Sequence, residues 1–362
     1  MTRVLIVDDS LCTRHVVADR LRASGLEVAG EAADGAQAVS LTHRLRPDVV
    51  LMDVLMPKMD GLEATRRIMD EVPTPVVIFS AYKDKKEAFK TLDALAAGAL
   101  EVCAKPGSDD EDNRDAWNTL VMTIRAASQV PVTRLSRGTK TKPCAISAPK
   151  SSVVRSKARG LGRRIVVIGA STGGPSAVRE ILSRLPADFP APVFVAVHCG
   201  MKLSSTLAEW LDRSCALPVQ QARHRQPFLE TTSGIFTAPA GHHLRLTRGR
   251  MWLQDAPKSE GCSPSVNELF RSAADVYRDR VIGVLLTGMG TDGAEGLKRI
   301  REHGGTTLVQ DHQSCVVFGM PSAAISLGAA EYIVPLADIP RLLIRLVNQP
   351  KRVSSGSLGT NR

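Results

Sequence analysis

The sequence predicts an α/β chain of two doubly wound parallel-sheet units, a flavodoxin-like one and then a Rossmann-like one with an inserted β-hairpin, joined by a basic flexible linker. Three observations carry that prediction. Short apolar runs alternate with longer segments of helical period in both halves, the pattern of parallel strands with crossover helices. Polar residues recur at the ends of the runs, where open α/β sheets place their functional groups. Between them, residues 129–164 hold ten basic side chains and no acidic one, are rich in Ser, Thr, Pro and Lys, and lack apolar periodicity.

The expected boundaries are therefore 1–128 for the first unit, 129–164 for the linker, 165–348 for the second unit and 349–362 for a disordered tail. The linker alone accounts for the formal net charge of +10 over 362 residues. The remainder is balanced, which argues against a chain that wraps a polyanion, so no nucleic acid is expected as a partner. An apolar fraction of 43% with 23% charged residues is ordinary for a globular protein. No apolar run approaches the roughly 18 residues of a membrane span, and the start lacks the features of a signal peptide, so a cytoplasmic protein without membrane insertion is expected; a monomer is the expected state. Seven scattered cysteines, none in a C-x-x-C pair, suggest neither a disulfide framework nor a zinc site and read as small buried hydrophobes.

In the first unit the strands are "RVLIVDD", "VAGEAA", "DVVLMDV", "PVVIFSA" and "ALEVCAK". Among the helices, Ala88, Leu92, Leu95 and Ala96 share one face. Asp8 and Asp9 end the first strand, Asp53 the third, Ser80 the fourth and Lys105 the fifth, so all five converge on one rim. Three carboxylates gathered there repel one another unless a hard divalent cation such as Mg²⁺ sits among them. Asp53 then becomes a reasonable phosphoryl acceptor, with Lys105 pairing with one phosphoryl oxygen and the Ser80 hydroxyl with another.

The second unit is expected to contain the strands "RRIVVIG", "APVFVAVH", "VIGVLLTG", "GTTLVQD" and "AEYIVP". A helix is expected from Ser263 as N-cap with Pro264 in its first position. The stretch "HLRLTRGRMWLQ" alternates Leu244 and Leu246, then Met251 and Leu253, about a glycine, and reads as a hairpin. In "GASTGG", Gly169, Ser171 and Gly173 match G-x-S-x-G, a nucleophile-elbow pattern that is weak alone. A serine hydroxyl needs a base and an orienting acid. His198 ends the neighbouring strand, and Asp292 lies in a glycine-rich loop after another, with Asp311 as the runner-up. Two other readings remain: a receiver-controlled DNA-binding regulator using the basic linker, and a nucleotide cradle, which lacks the phosphate-loop spacings.

The motifs "VDDS", "MDVLMPKMDGLEA", "FSA" and "AKP" resemble the receiver domain of bacterial two-component response regulators. That resemblance implies phosphorylation of Asp53 by a histidine kinase, with Asp8, Asp9, Asp53 and the Leu55 carbonyl around Mg²⁺. Val102 stands where many receivers carry an aromatic switch residue. Over 165–348, "VIGASTGGP", "TAPAGHHL", "CSPSVNELF", "LLTGMGTDGAEGL", "VQDHQSCVVFGMP" and "YIVPL" are similar to the catalytic domain of chemotaxis protein-glutamate methylesterases. This implies a Ser171, His198, Asp292 triad, an oxyanion contribution from the Met289 amide, and no cofactor in the esterase site. It also implies hydrolysis of glutamate γ-methyl esters on methylated chemoreceptor signalling helices, with release of methanol and some glutamine deamidation. Cys199 and Gly200 after the histidine, and Asn267, depart from the family's usual residues. Before phosphorylation, the receiver is expected to cover the Ser171 rim.

Overall fold

The structure is a computed structural model, and it describes residues 1–81, 85–106, 110–130, 132, 164–228, 233–256 and 263–349. The linker and tail expectations therefore lie almost wholly outside the described residues, as do Cys144 and Cys262.

The first unit runs β1 (Arg3–Val7), α1 (Leu11–Ala23), β2 (Glu27–Ala32), α2 (Gly35–Leu45), β3 (Val49–Met52) and α3 (Gly61–Glu71). It continues through β4 (Val76–Ser80), α4 (Lys85–Ala96), β5 (Glu101–Ala104) and α5 (Asp110–Ala127). Its five strands form one parallel sheet in the order β2-β1-β3-β4-β5. The three inner strands β1, β3 and β4 are near-continuous apolar runs because helices cover both sheet faces, while the edge strands β2 and β5 are more polar, and all five expected strands are present. The order reverses between β1 and β3, so their carboxyl ends frame a crevice that Asp8, Asp9 and Asp53 line.

Behind that crevice, the backbone turns sharply into α3. A Cβ added to Gly61 would lie 2.0 Å from the Asp53 carbonyl oxygen, so only glycine fits.

The second unit opens with β6 (Ile165–Ala170), α6 (Gly174–Leu182), β7 (Pro192–Val197), α7 (Met201–Asp212), β8 (Val219–Gln221) and β9 (Gly234–Thr237). After β10 (His242–Thr247) and β11 (Arg250–Asp255) come α8 (Val266–Tyr277), β12 (Val281–Leu285), α9 (Ala294–Glu302) and β13 (Thr306–Gln310). It closes with α10 (Met320–Ser326), β14 (Tyr332–Val334) and α11 (Ile339–Asn348). Seven parallel strands are ordered β14-β13-β12-β6-β7-β9-β8, while β10 and β11 pair antiparallel as the expected hairpin. The sheet thus holds two strands beyond the five expected. β8 and β9 are only three and four residues long, too short for alternation to mark them.

Two further expectations are corrected. Helix α8 starts at Val266 with Ser265 as its N-cap, two residues after the expected Ser263. The Ser265 hydroxyl accepts from the Glu268 amide at 3.3 Å, the first half of an S-x-x-E capping box. Cys12 is exposed in the first turn of α1 and Cys199, Cys215 and Cys315 are half-buried, leaving Cys103 as the fully buried cysteine among those described. No described helix is long and apolar enough to cross a membrane.

The two units touch. Helix α4 packs against α7 and α6, and Leu92 and Leu95 share one buried apolar cluster with Leu203 and Leu207. The buried Trp210 donates from Nε1 to Asp93 Oδ1 at 2.9 Å, and the Arg213 guanidinium lies 5.2 Å from the Phe89 ring centre. Lys85 and Glu209 also pair at 2.6 Å, but both are exposed, and such pairs are worth only about 0–1 kcal/mol. Apolar packing and the Trp210 anchor therefore hold the interface.

Gly61→Ala is expected to displace the Asp53–Val54 backbone and destabilise the first unit by roughly 1–3 kcal/mol, read as a lowered melting temperature. An unchanged melting temperature would show that the approach at Gly61 relaxes without cost.

Candidate functional site

In the first unit, ligand oxygens of Asp8, Asp9 and Asp53 lie within 4.8 Å of one another. Asp8 and Asp53 are buried, and Asp9 is exposed. Lys105 Nζ reaches across from the end of β5, 2.7 Å from Asp8 Oδ2 and 2.8 Å from Asp53 Oδ2. Burial raises the Asp53 carboxyl above its ordinary value despite the opposing ammonium. Burial likewise pulls Lys105 down, but Asp53 and Asp8 outweigh it and hold the ammonium above its ordinary value. The donors are hard oxygens of a kind suited to Mg²⁺. Ser80 is brought to the same sheet end, yet its hydroxyl donates to the buried carboxylate of Glu87 on α4. Leu55 is exposed in the β3–α3 loop.

In the second unit, the strand order reverses about β6, and the crevice there receives the ends of β6, β7 and β12. Ser171 follows β6, with its amide donating to the Thr287 carbonyl at 3.0 Å. The left-handed position of the turn is Gly173 (φ 74°), while Ser171 keeps an ordinary φ. The G-x-S-x-G pattern therefore concentrates its backbone requirement two residues beyond the serine. A Cβ on Gly288 would sit 2.7 Å from Ser171 Cβ, so the loop that follows β12 lies directly against the serine. The next residue, Met289, is 47% exposed, and its amide has no acceptor among the described residues.

His198 is placed beside this turn because its amide donates to the Ala170 carbonyl at 3.0 Å, extending the β6–β7 pairing by one step. Its ring Nε2 lies 2.9 Å from Asp292 Oδ2. With Nε2–H donated to the carboxylate, Nδ1 is the nitrogen left to take up a proton. Asp292 itself is held at the start of α8. It accepts from the Val266 amide at 2.7 Å, the Asn267 amide at 2.9 Å, the Gly293 amide at 3.0 Å and the Ser265 hydroxyl at 3.1 Å. Burial alone would raise its carboxyl, but the His198 ring and the Asn267 and Val266 amides outweigh that and hold it below the ordinary 3.8. The helix N-terminus adds to the same preference for charge.

Asp311, the runner-up acid, is turned away: its carboxylate accepts from the Ser314 amide at 3.0 Å and from the Ser314 hydroxyl. Asn267 has a defined task, since its Oδ1 accepts from the Gly296 amide at 2.7 Å and so caps α9. Sequence reasoning missed two participants. Ser265 was signalled by the S-x-x-E spacing. Glu101, on β5 of the first unit, carried no local signal, because its partners belong to the second. Its half-buried carboxyl accepts from the Val102 amide at 2.9 Å and meets the Thr172 hydroxyl and the Gly173 amide beside the serine. Burial pushes it up to about 7.

Fold and site together define a two-unit α/β chain in which a unit with a crevice of three carboxylates and a lysine packs against a unit whose His198–Asp292 pair lies at the strand end next to Ser171. Residues 4–113 match the model of the response regulator receiver domain, and residues 166–343 match that of the CheB methylesterase. The chain is 42% identical over 345 residues to protein-glutamate methylesterase/protein-glutamine glutaminase 2 of Anaeromyxobacter dehalogenans, covering 95% of this chain and 96% of the relative. It is 38% identical to the protein-glutamate methylesterase/protein-glutamine glutaminase of Archaeoglobus fulgidus, covering 95% and 98%. Among solved structures, the Thermotoga maritima CheB methylesterase catalytic domain is 36% identical, with 51% of this chain and all of that chain covered at a TM-score of 0.49. The chain belongs to the CheB methylesterase family.

Acidification tests the Asp292 network. Because its folded value is lowered, the stabilisation is full above about pH 4 and is lost as pH falls through that folded value. Asp292→Asn is expected to unfold at a lower temperature at pH 7 and to show a shallower loss of stability below pH 4. Parallel melting curves for the two proteins would refute this.

Proposed function

We propose that this protein hydrolyses glutamate γ-methyl esters on chemoreceptor signalling helices through Ser171, under control of phosphorylation at Asp53. The observation that carries the reading is the 2.9 Å contact between His198 Nε2 and Asp292 Oδ2 at the strand end next to Ser171, in a chain of this family. Ser171 Oγ attacks the ester carbonyl carbon while His198 Nδ1 takes the serine proton, and Asp292 stabilises the imidazolium. The Met289 amide, which has no acceptor among the described residues and follows the Gly288 that lies against Ser171, is the donor for the oxyanion, a contribution worth about 10²–10³ in rate. Collapse expels methanol, which leaves with the proton held by His198. Water, deprotonated by the same nitrogen, then cleaves the acyl-enzyme to a glutamate carboxylate and restores the serine. An amide in place of the ester gives ammonia by the same route, the glutaminase activity in the relatives' names.

In the receiver unit, the clustered Asp8, Asp9 and Asp53, together with the Leu55 carbonyl, would hold a Mg²⁺ ion, which when bound supplies charge neutralisation for phosphoryl transfer from a histidine kinase. Lys105 exchanges its carboxylate partners for a phosphoryl oxygen. Recruiting the Ser80 hydroxyl to the phosphoryl group takes it from Glu87, and Glu87 rides on the helix that packs against α7. Coupling therefore does not need an aromatic side chain at Val102. The docked receiver, with Glu101 against Thr172 and Gly173, supports a covered resting state that phosphorylation opens. The balanced charge outside the linker favours this reading over a DNA-binding regulator, and a cytoplasmic setting suits a kinase-coupled enzyme.

Methanol release from methylated receptor is expected to vanish in Ser171→Ala and to rise in wild type on addition of a small-molecule phosphodonor. Ser80→Ala is expected to accept phosphate with a smaller rise. Methanol release by Ser171→Ala at the wild-type rate would end the nucleophile assignment.

Glu101 adds a pH signature. A carboxyl raised to about 7 favours the covered state below the ordinary 4.5, and that preference is lost as pH rises through 7. His198, Cys103 and Cys199 are the titratable groups that face it. The ratio of unphosphorylated wild-type activity to that of Glu101→Gln is therefore expected to climb between about pH 5 and pH 8. A flat ratio would remove Glu101 from the control of opening.

A further inference from the structure

Between Arg223 and Gln254 the sequence holds five arginines against one acid, Glu230. The hairpin register sets Arg245 opposite Trp252 and Thr247 opposite Arg250 on the solvent face, while Leu244, Leu246 and Met251 point into the core. Trp252 is 38% exposed, the Arg225 guanidinium stacks 5.0 Å from its ring centre, and the His224 ring lies 4.4 Å away. Arg250 Nη1 donates to the Arg225 carbonyl at 3.2 Å, and His224 Nδ1 lies 2.9 Å from the Leu253 carbonyl. The patch is thus fastened in place before any partner arrives. Arg245 has Glu268 at 3.6 Å, but Arg223, Arg225, Arg248 and Arg250 are exposed with no acidic partner among the described residues.

Tryptophan and arginine are the side chains that most often dominate interface energetics, and a surplus of one charge selects a partner of the other. The hairpin that carries the patch is tied to Asp292 through part-buried hydrogen bonds. The residues of β10 that alternate on this face begin with His243, whose Nδ1 accepts from the Ser265 amide at 3.0 Å, and the Ser265 hydroxyl donates to Asp292. Arg245 stands two residues further on, about 7 Å along the strand. The hairpin packs on α8, whereas the receiver packs on α6 and α7. The docked receiver therefore leaves this face open.

We propose that this arginine and tryptophan face docks an acidic helical stretch of the substrate protein beside the ester being cleaved. The proposal rests on the glutamyl-ester reading above. Each ester hydrolysed on a helix leaves a carboxylate there, so a substrate with several sites grows more acidic and is held more firmly as the reaction proceeds.

The test is fluorescence anisotropy with a labelled helical peptide bearing glutamates along one face and with its glutamine counterpart. Both are titrated with the full chain as wild type, Arg248→Glu/Arg250→Glu and Trp252→Ala. Wild type is expected to bind the glutamate peptide at least about tenfold more tightly than the glutamine peptide, with affinity falling as salt rises. Both variants are expected to lose that preference while releasing methanol from free glutamate γ-methyl ester at the wild-type rate and melting at the wild-type temperature. Equal binding by wild type and the double variant, or tighter binding to duplex DNA of matched charge, would overturn the proposal. Wild type that shows the peptide preference but releases no methanol from any ester would sink the esterase reading and leave the docking face standing.

Discussion

The carboxylate of Asp292 is the hinge of the second unit. Four backbone or hydroxyl donors and the His198 ring converge on it, so it is at once the cap of α8 and the orienter of the imidazole. A group with those two duties cannot drift, because any movement that frees the ring also strips a helix N-terminus of its acceptor. The position of His198 is set from the other side by its amide bond to Ala170, the last residue of β6. Two parallel strands and one helix end thereby fix the relation between base and acid more tightly than side-chain rotamers alone allow.

The same logic explains why the serine needs no strained backbone of its own. The left-handed residue is Gly173, the N-cap of α6. Ser171 is instead held by its amide bond to Thr287 and by the close approach of Gly288. Thr287 is anchored in turn through the Gln310 side chain and the Thr172 carbonyl. The loop that leaves the Met289 amide free is therefore braced on both sides, and a braced donor is what electrostatic stabilisation of an oxyanion demands.

Regulation is built from a different currency. The receiver reaches the catalytic unit through α4 and β5, the elements nearest Ser80 and Lys105. A change at Asp53 has a short mechanical path to the interface: Ser80, Glu87, then the helix that carries Phe89, Leu92 and Asp93 against α7. The interface on that path is apolar, with one tryptophan anchor and a carboxyl raised by burial.

Much of the site was legible before any coordinates. Asp8, Asp9, Asp53, Lys105, Ser171, His198 and Asp292 were singled out because each ends an apolar strand or lies in the loop after one, and strand ends in a doubly wound sheet share a rim. The strand at "HLRLTRGRMWLQ" was read from its alternation for the same local reason. The sequence could not tell Asp292 from Asp311 by position, nor reveal that Ser265 and Asn267 tie two helix starts to the catalytic loop. Nor could it show Ser80 committed to Glu87 or Glu101 lying against Thr172. Except for Ser80 and Glu87, seven residues apart, those are pairings between residues far apart in the chain, and all of them are decided by how helices and domains pack. Local periodicity carries the elements and the ends of strands; only the folded chain decides which distant polar groups share a dielectric and therefore which of them are neighbours.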